Sequence, residues 1–350
     1  MKKVDYIVVG LGLAGISFCE QLRRHNKSFV VFDQGKQNSS EVAGGVYNPL
    51  VLKRYNLAWK AEEQLKLAKQ YYSQLEKLLN SKLDYPLPIL RRLASPQERL
   101  TWIKKREDEE KGKFMSSELL ENSYDSINAP NGFGKVFSTG RIDTEKLILS
   151  YRNYLLSHQQ LIEDTFLYEN VDPENSTYMD YTFKKLVFAE GFGLKNNSYF
   201  KHLPLRGTKG EVLIIRSPKL HLKEILKSSI FIIPLKDDMY YVGATYEHEE
   251  KTFAPTEEAR NELCENLEKN ISCDYEIVEH LVGIRPTTKD RRPLVGVHSE
   301  YGNISVLNGL GTRGVMIAPF IAQELFNHLE NSSSLDAEID IQRFESERTL

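Results

Sequence analysis

Residues Tyr6 to Phe18, YIVVGLGLAGISF, admit two readings: a secretory leader behind Lys2 and Lys3, or a nucleotide-binding turn. A leader needs a basic start, an unbroken apolar stretch and a small-residue cleavage site. Here Asp5 interrupts the start, three glycines break the run and no cleavage site follows. The turn reading accounts for every residue. Val4 to Val9 has the β-branched character of a buried parallel strand and runs into Gly10-x-Gly12-x-x-Gly15, which opens an amphipathic segment from Ile16 to Asn26. Gly10 permits the tight turn, Gly12 admits a pyrophosphate to the backbone, and Gly15 lets the helix pack against the strand. The helix start then offers unpaired N–H groups and a positive dipole end to phosphate. A second strand, Phe29 to Phe32, ends at Asp33, where an acidic side chain accepts ribose hydroxyls.

The bulk properties allow this reading. At 350 residues the chain calls for two domains, or one large α/β domain with an inserted lobe. Hydrophobic content of 41%, charged content of 27% and a net charge of −3 describe a globular chain without an overall pull towards nucleic acid or acidic lipid. The cationic cluster Lys104–Arg106 runs straight into acids and reads as a solvated helix face. Cys19, Cys264 and Cys273 form no CxxC, so a reducing, cytoplasmic setting is expected. The histidines show no paired ligand spacing, and no metal is expected. No stretch reaches membrane-spanning length.

Asp33 does not separate NAD from FAD, because both present an adenosine ribose. Three later segments argue for the longer cofactor. Ala43-Gly44-Gly45-Val46-Tyr47-Asn48-Pro49 is a glycine loop that brings backbone amides to a flat or charged ligand. Leu186 to Gly193, LVFAEGFG, is a strand ending in small residues. Ile304 to Leu329 repeats the strand–glycine–helix pattern through Gly309-Leu310-Gly311-Thr312-Arg313-Gly314. A helix start at that point would stabilise charge accumulating at the flavin N1–C2=O edge. Two glycine-gated helices fit one extended FAD. The candidate cofactor residues are Gly10, Gly12, Leu13, Ala14, Gly15, Asp33, Gln34, Gly44, Gly45, Val46, Val171, Ala189, Glu190, Gly191, Gly309, Gly311, Thr312, Arg313, Gly314 and Val315.

The stretches VVGLGLAG…VVFDQG, AGGVYNPL, GIRPTTKDRRPLVG and NGLGTRGVMIAP resemble, end to end, the D-amino-acid oxidase and glycine oxidase family of FAD-dependent oxidoreductases. The resemblance implies an α/β fold: a FAD-binding, Rossmann-like domain of glutathione-reductase type and a second α+β substrate lobe on a mixed or antiparallel sheet. In that arrangement residues 1–80, 136–200 and 284–350 form a discontinuous FAD-binding domain, and 81–135 with 201–283 form the substrate domain. It also implies oxidation of the C–N bond of a small amine or amino acid by hydride transfer to flavin N5, with oxygen or a quinone as electron acceptor. Arg285 in GIRPTT would pair with the substrate carboxylate. Because Ile284–Thr288 contains no cysteine, the FAD is expected to be noncovalent.

Local patterning fills in the rest. Leu57 to Asn80 carries a helical apolar stripe with Asn56 as cap, and Asp143 caps a helix through Ser157. LYENV is expected as a strand. GEVLIIRS, SIFIIPL and MYYVGATYE read as strands of one sheet, in which alternation puts Tyr240 and Tyr246 on one face as an aromatic wall or lid; plain sheet packing is the competing assignment. Arg285, Tyr246 and Tyr240 are thus the candidate catalytic residues. Two other functions stay open. GGVYNPLVLKR and LGTRGVMIAP are also similar to the flavin half of the bifunctional enzyme that cleaves an N-carboxymethyl group in modifying a tRNA wobble uridine, although net charge does not favour RNA. A FAD-binding protein without amine oxidase activity is the other.

Overall fold

The N-terminal β-branched run forms the buried strand Lys2–Val9 in the computed structural model, which describes residues 1–35 and 38–344. Lys36, Gln37 and residues 345–350, placed above in the cofactor segments, lie outside the described residues. Phe29–Phe32 pairs parallel with one edge of Lys2–Val9 and Tyr181–Phe188 with the other. Leu161–Ile162 and Ile304–Asn308 extend this parallel core outward, and an antiparallel strand, Leu294–Val297, follows Ile304–Asn308. With the short hairpin Val171–Asp172 and Thr177–Tyr178 the sheet has eight strands.

Alternation divides its side chains between two cores. Tyr6 and Val8 pack into the largest apolar cluster beneath the helices Leu13–Arg24, Ala61–Leu79, Thr144–Ser157 and Gly314–Asn331, through Leu22, Leu65, Tyr151 and Leu325. Ile7 and Val9 point the other way, to Phe32, Phe183 and Phe188. Each such fully buried side chain contributes about 1.5–3 kcal/mol, so the fold is driven from both faces of the central strand.

A second, seven-stranded sheet is mixed. Its order is Glu276–Arg285, Thr208–Arg216, Met239–Gly243, Phe231–Pro234, Ile225–Lys227, Ile89–Arg92 and Phe133–Val136, antiparallel except between Ile225–Lys227 and Ile89–Arg92. Val136 and Arg285, expected in the cofactor segments 136–200 and 284–350, are the last residues of strands in this second sheet, because their ladders continue to Ile89 and Thr208. One face packs Leu213, Tyr240 and Val242 beneath Leu263 and Leu267 of helix Glu257–Glu268. The other face sends Ile89, Ile225, Ile233 and Tyr241 into the large cluster shared with the parallel sheet. A small sheet of Val46–Tyr47, Gly140–Ile142 and Asp84–Pro86 lies at the junction.

Two local expectations are corrected. Asn56–Leu57 pairs antiparallel with Leu50–Val51, so the long helix starts at Ala61 and Asn56 is not its cap. LYENV is a 3₁₀ turn, Tyr168–Asn170, before the two-residue strand Val171–Asp172; hydrogen bonding there reaches only Tyr178 and Thr177. Asp143 does cap its helix, its side chain accepting from Lys146 N–H.

Gly45 holds the glycine loop in place. Its φ is +67° and an added Cβ would lie 1.8 Å from the Ile142 carbonyl oxygen. A Gly45→Ala substitution should cost about 1–3 kcal/mol through left-handed backbone strain alone, with the clash in addition. It will read as a lower melting temperature by calorimetry, whereas alanine at Gly302, with open space around its Cα and no positive φ, should leave the melt within about 0.5 kcal/mol of wild type.

Candidate active site

The strand register brings the separated candidate segments to one edge. Val9 lies opposite both Phe32 and Phe188, and Phe188 opposite Val306, so the residues that follow emerge together at the carboxyl ends of the strands. That edge of an open parallel sheet is where ligands bind. Gly10 N–H donates to Phe32 O at 2.9 Å, and Ala189 N–H donates to Val9 O at 2.8 Å. The backbone then closes: a Cβ on Gly10 (φ +97°) would meet Ala189 O at 2.6 Å, and one on Gly15 would meet Gly10 O at 2.0 Å. Leu13 and Ala14 lie in the first turn of the helix capped by Gly12, whose N–H groups lack intrahelical acceptors. Ser40, which sequence reasoning did not single out, accepts from Leu13 N–H at 3.3 Å.

Asp33 turns its carboxylate back onto this loop. It accepts from Leu11 N–H at 2.8 Å, Gly35 N–H at 2.9 Å and Arg152 at 2.8 Å. Three of about four acceptor positions are engaged, leaving room for one ribose hydroxyl. Gln34 is exposed beside it. Glu190 directs its side chain to Tyr168 and Asn197, at 2.6 and 2.7 Å, and burial raises its pKa. Its neighbours Ala189 and Gly191 contribute backbone to the edge. Val171 is buried in the second apolar cluster with Phe32 and Tyr178.

The late glycine loop joins the same edge. Asn308 donates to Gly191 O at 3.0 Å, and Gly311 N–H donates to Pro286 O at 3.0 Å, which ties the loop to the segment after Arg285. Gly309 has φ +75° and packs against Leu294 and Thr288. Thr312 is exposed; Gly314 and Val315 open the final helix. The Arg313 guanidinium reaches across to the other glycine loop and donates to Asn48 O at 2.7 Å and Leu50 O at 3.1 Å. Burial pushes its pKa down, against the attraction of the Tyr246 phenol.

These residues fit an extended dinucleotide. A Cβ on Gly191 or Gly311 would meet nothing within 4 Å, and one on Gly12 would meet only Ser40, so open space faces backbone at both ends of the edge. Gly10, Gly12, Leu13, Ala14 and Gly15 would hold the pyrophosphate; Gly44, Gly45 and Val46, with Gly311 to Val315, would hold the distal half. Within the loop, a Cβ on Gly44 would lie 2.8 Å from Ile233 and 3.0 Å from Tyr241, so this glycine lets the second sheet close on the first.

Arg285 ends its strand and lies over Gly210 of the neighbouring one, where a Cβ would come within 2.1 Å of the guanidinium. The Tyr246 ring stacks 4.9 Å from the guanidinium carbon, and Nη1 donates to Thr245 O at 3.3 Å. Among the described residues, no carboxylate lies within ion-pair distance of Arg285, so a structural salt bridge is not what holds it. Most of its donors are therefore available to a ligand. Tyr240 is a correction. Strand alternation turns it away, 4% exposed, beneath helix Glu257–Glu268, while Tyr241 faces the junction. The strand ends at Gly243, so alternation cannot be counted through to Tyr246. Burial pushes the Tyr241 phenol up to about 12, against the pull of Arg285 and Gly44 N–H. It therefore stays a protonated donor at neutral pH. Tyr241 and Gly210, like Ser40, were not singled out from the sequence, and the alternation of MYYVG carried the signal for the first. Cys19 lies in a helix, and Cys264 and Cys273 pack on the outer cluster, away from Arg285. Among the described residues, no group of His, Cys, Asp and Glu is arranged for a metal ion, and no helix is long and apolar enough to cross a membrane.

A parallel sheet with a glycine-lined carboxyl edge, closed by a second, mixed sheet, is the design of an FAD-dependent oxidoreductase. The FAD dependent oxidoreductase (DAO) family model matches residues 5–327, and the chain belongs to this family, whose members bind FAD. Glycine oxidase from Geobacillus kaustophilus shares the fold, with a TM-score of 0.80 at 17% identity over 98% of both chains. The tRNA 5-methylaminomethyl-2-thiouridine biosynthesis bifunctional protein MnmC of Campylobacter jejuni subsp. jejuni is 22% identical over 308 residues, 85% of this chain and 46% of that protein. Its namesake from Idiomarina loihiensis is 28% identical over 127 residues, 35% of this chain and 21% of that protein. The chain thus spans less than half the length of these curated relatives.

The close approach at Gly15 yields a direct expectation. Gly15→Ala would force the helix start away from Gly10, and purified protein should show a 450 nm to 280 nm absorbance ratio below half that of wild type.

Proposed function

We propose that this protein oxidises the C–N bond of an amine that carries a carboxylate, with FAD as the noncovalent acceptor. The observation that carries the reading is Arg285: a guanidinium seated over Gly210, stacked on Tyr246 and without an acidic partner among the described residues. A planar fork of N–H donors matches the two oxygens of a carboxylate. Tyr241 adds a protonated phenol and Arg313 adds positive potential, so an anionic group is drawn in and its amine end oriented. Bound FAD supplies the two-electron acceptor. The substrate amine must arrive or become deprotonated. The described residues around Arg285 supply cations and phenols, so the proton is assigned to solvent. In this reading, residues 1–80, 136–200 and 284–350 act as the cofactor domain and 81–135 with 201–283 as the substrate domain, except that Val136, Ile284 and Arg285 complete strands of the second sheet.

The test is anaerobic bleaching of the flavin by a panel of amino acids, sarcosine and 2-hydroxy acids. Bleaching by a carboxylated amine supports the reading; bleaching by 2-hydroxy acids alone overturns it. Reoxidation by oxygen against reoxidation by a quinone analogue then distinguishes the acceptors. A second reading is favoured by the MnmC relatives: oxidation of the modified side chain of a tRNA wobble uridine. It uses the same anion site, because an N-carboxymethyl amine also presents a carboxylate. Bleaching by hypomodified tRNA, with none by free amino acids, would select it.

Arg285→Ala should raise KM for the carboxylated substrate by about 30-fold to 1,000-fold, the loss expected when one partner of a desolvated charge pair is truncated. Arg285→Lys should recover only part of this, lacking the fork. Tyr241→Phe should raise KM about tenfold while leaving the pH profile between about 6 and 10 unchanged, since its phenol, at about 12, does not titrate there. Tyr240→Phe should leave turnover within twofold of wild type.

A further inference from the structure

The strand that seats Arg285 carries a charge cluster on its opposite face. In Thr208–Arg216, Gly210 lies under the guanidinium, and alternation turns its neighbours Lys209 and Glu211 the other way. Both are buried: Lys209 is 0% exposed and Glu211 is 2%. A buried lysine and glutamate are costly unless every charge is met. Here they are met almost entirely by one ribbon of chain, Thr245 to Thr256, which has no regular secondary structure and is largely exposed.

Lys209 Nζ pairs with Glu250, donates to Ala254 O at 2.7 Å and lies 3.3 Å from Glu211 Oε1. Glu211 accepts from Thr256 N–H at 2.8 Å and from Thr256 Oγ1 at 2.9 Å, and its Oε2 is 2.8 Å from His280 Nε2. The backbones join as well. Lys209 and Glu247 exchange N–H···O bonds at 2.9 Å, Glu211 N–H donates to Thr245 Oγ1 at 2.9 Å, and Thr245 N–H donates to Glu211 O at 3.1 Å. The ribbon begins with the two residues that touch Arg285: Thr245 through its carbonyl and Tyr246 through its ring.

We propose that Lys209 and Glu211 are positioning residues for the anion site, clasping the Thr245–Thr256 ribbon from the outer face of the sheet and so holding Thr245 and Tyr246 on Arg285. This rests on the reading of Arg285 as the carboxylate anchor. The clasp sets how firmly the guanidinium is aimed. Its loss weakens carboxylate binding and leaves the oxidation step alone. Without the ribbon, Arg285 keeps its seat on Gly210 but loses its stacking partner Tyr246 and the Thr245 carbonyl that accepts from its guanidinium.

The test uses FAD-loaded full-length protein and two readouts on the same variants. Backbone hydrogen exchange over 245–256 reports the ribbon without any substrate. The dissociation constant of acetate or glycolate, followed by perturbation of the flavin absorbance, reports the anion site. Glu211→Ala and Lys209→Met should raise exchange across the ribbon at least tenfold and weaken carboxylate binding about tenfold, with unchanged flavin content. Glu211→Gln, which keeps its shape and acceptor oxygen, should fall between. Glu250→Ala removes a half-exposed partner of Lys209 at the edge of the cluster, a milder change than either buried substitution, and should show the same pattern at smaller size. With a turned-over substrate, KM should rise while kcat stays within twofold. Normal ribbon exchange in Glu211→Ala and Glu250→Ala overturns the clasp, and so does a loosened ribbon with unaltered carboxylate affinity. Arg285→Ala with unaltered carboxylate affinity overturns the anchor reading and the clasp with it. An effect of Arg285→Ala without one of Glu211→Ala or Glu250→Ala overturns the clasp alone.

Discussion

The structure depends first on a close approach of backbone to backbone. Gly10 lies against Ala189, and Gly15 lies against Gly10, at separations that leave no room for a side chain. This contact levels the ends of three parallel strands, because Val9 can face Phe32 and Phe188 only if the turn after it occupies almost no volume. It also sets the first helix so that its N-terminus opens at the same edge. Cofactor-binding potential is therefore a consequence of packing: once strand and helix meet this closely, unpaired N–H groups and a dipole end are presented together.

The second dependence is the seam between the sheets. Beside it Arg313 ties the late glycine loop to the early one, its charge met by two carbonyl oxygens of the chain that follows Gly44 and Gly45. A guanidinium bound to carbonyls keeps its full positive charge, unlike one neutralised by a carboxylate. It therefore fixes the loop and contributes to the potential at Tyr246. Gly44 completes the seam by letting Ile233 and Tyr241 reach the loop. The cationic character of the junction and its mechanical closure have the same source.

Strand Thr208–Arg216 shows how the two faces of a sheet take separate tasks. Lys209, Gly210 and Glu211 are consecutive, yet the middle residue clears space for Arg285 while its neighbours gather the ribbon on the far side. The arrangement needs a residue without a side chain between two long charged ones. In sequence Gly210 and Glu211 open the strand expected at GEVLIIRS, and the division of tasks between its faces appears only when Thr208 is placed opposite Arg285.

Patterns short enough to be governed by local physics were legible from the sequence. They include the parallel strand and glycine turn at the N-terminus, the strand–glycine–helix unit from Ile304 and the Asp143 cap. Each rests on hydrogen bonding or sterics within about ten residues of chain. The tertiary structure alone decided what depends on pairing over long separations. It placed Tyr241 rather than Tyr240 at the junction, because a strand's face is assigned by the helix that covers it. It carried the second sheet's ladders as far as Val136 and Arg285, because strand ends follow their partners. Among the described residues it left Arg285 without an acid and gave Lys209 Glu250, Glu211 and the Ala254 carbonyl, because a buried charge is defined by whichever distant segments fold around it.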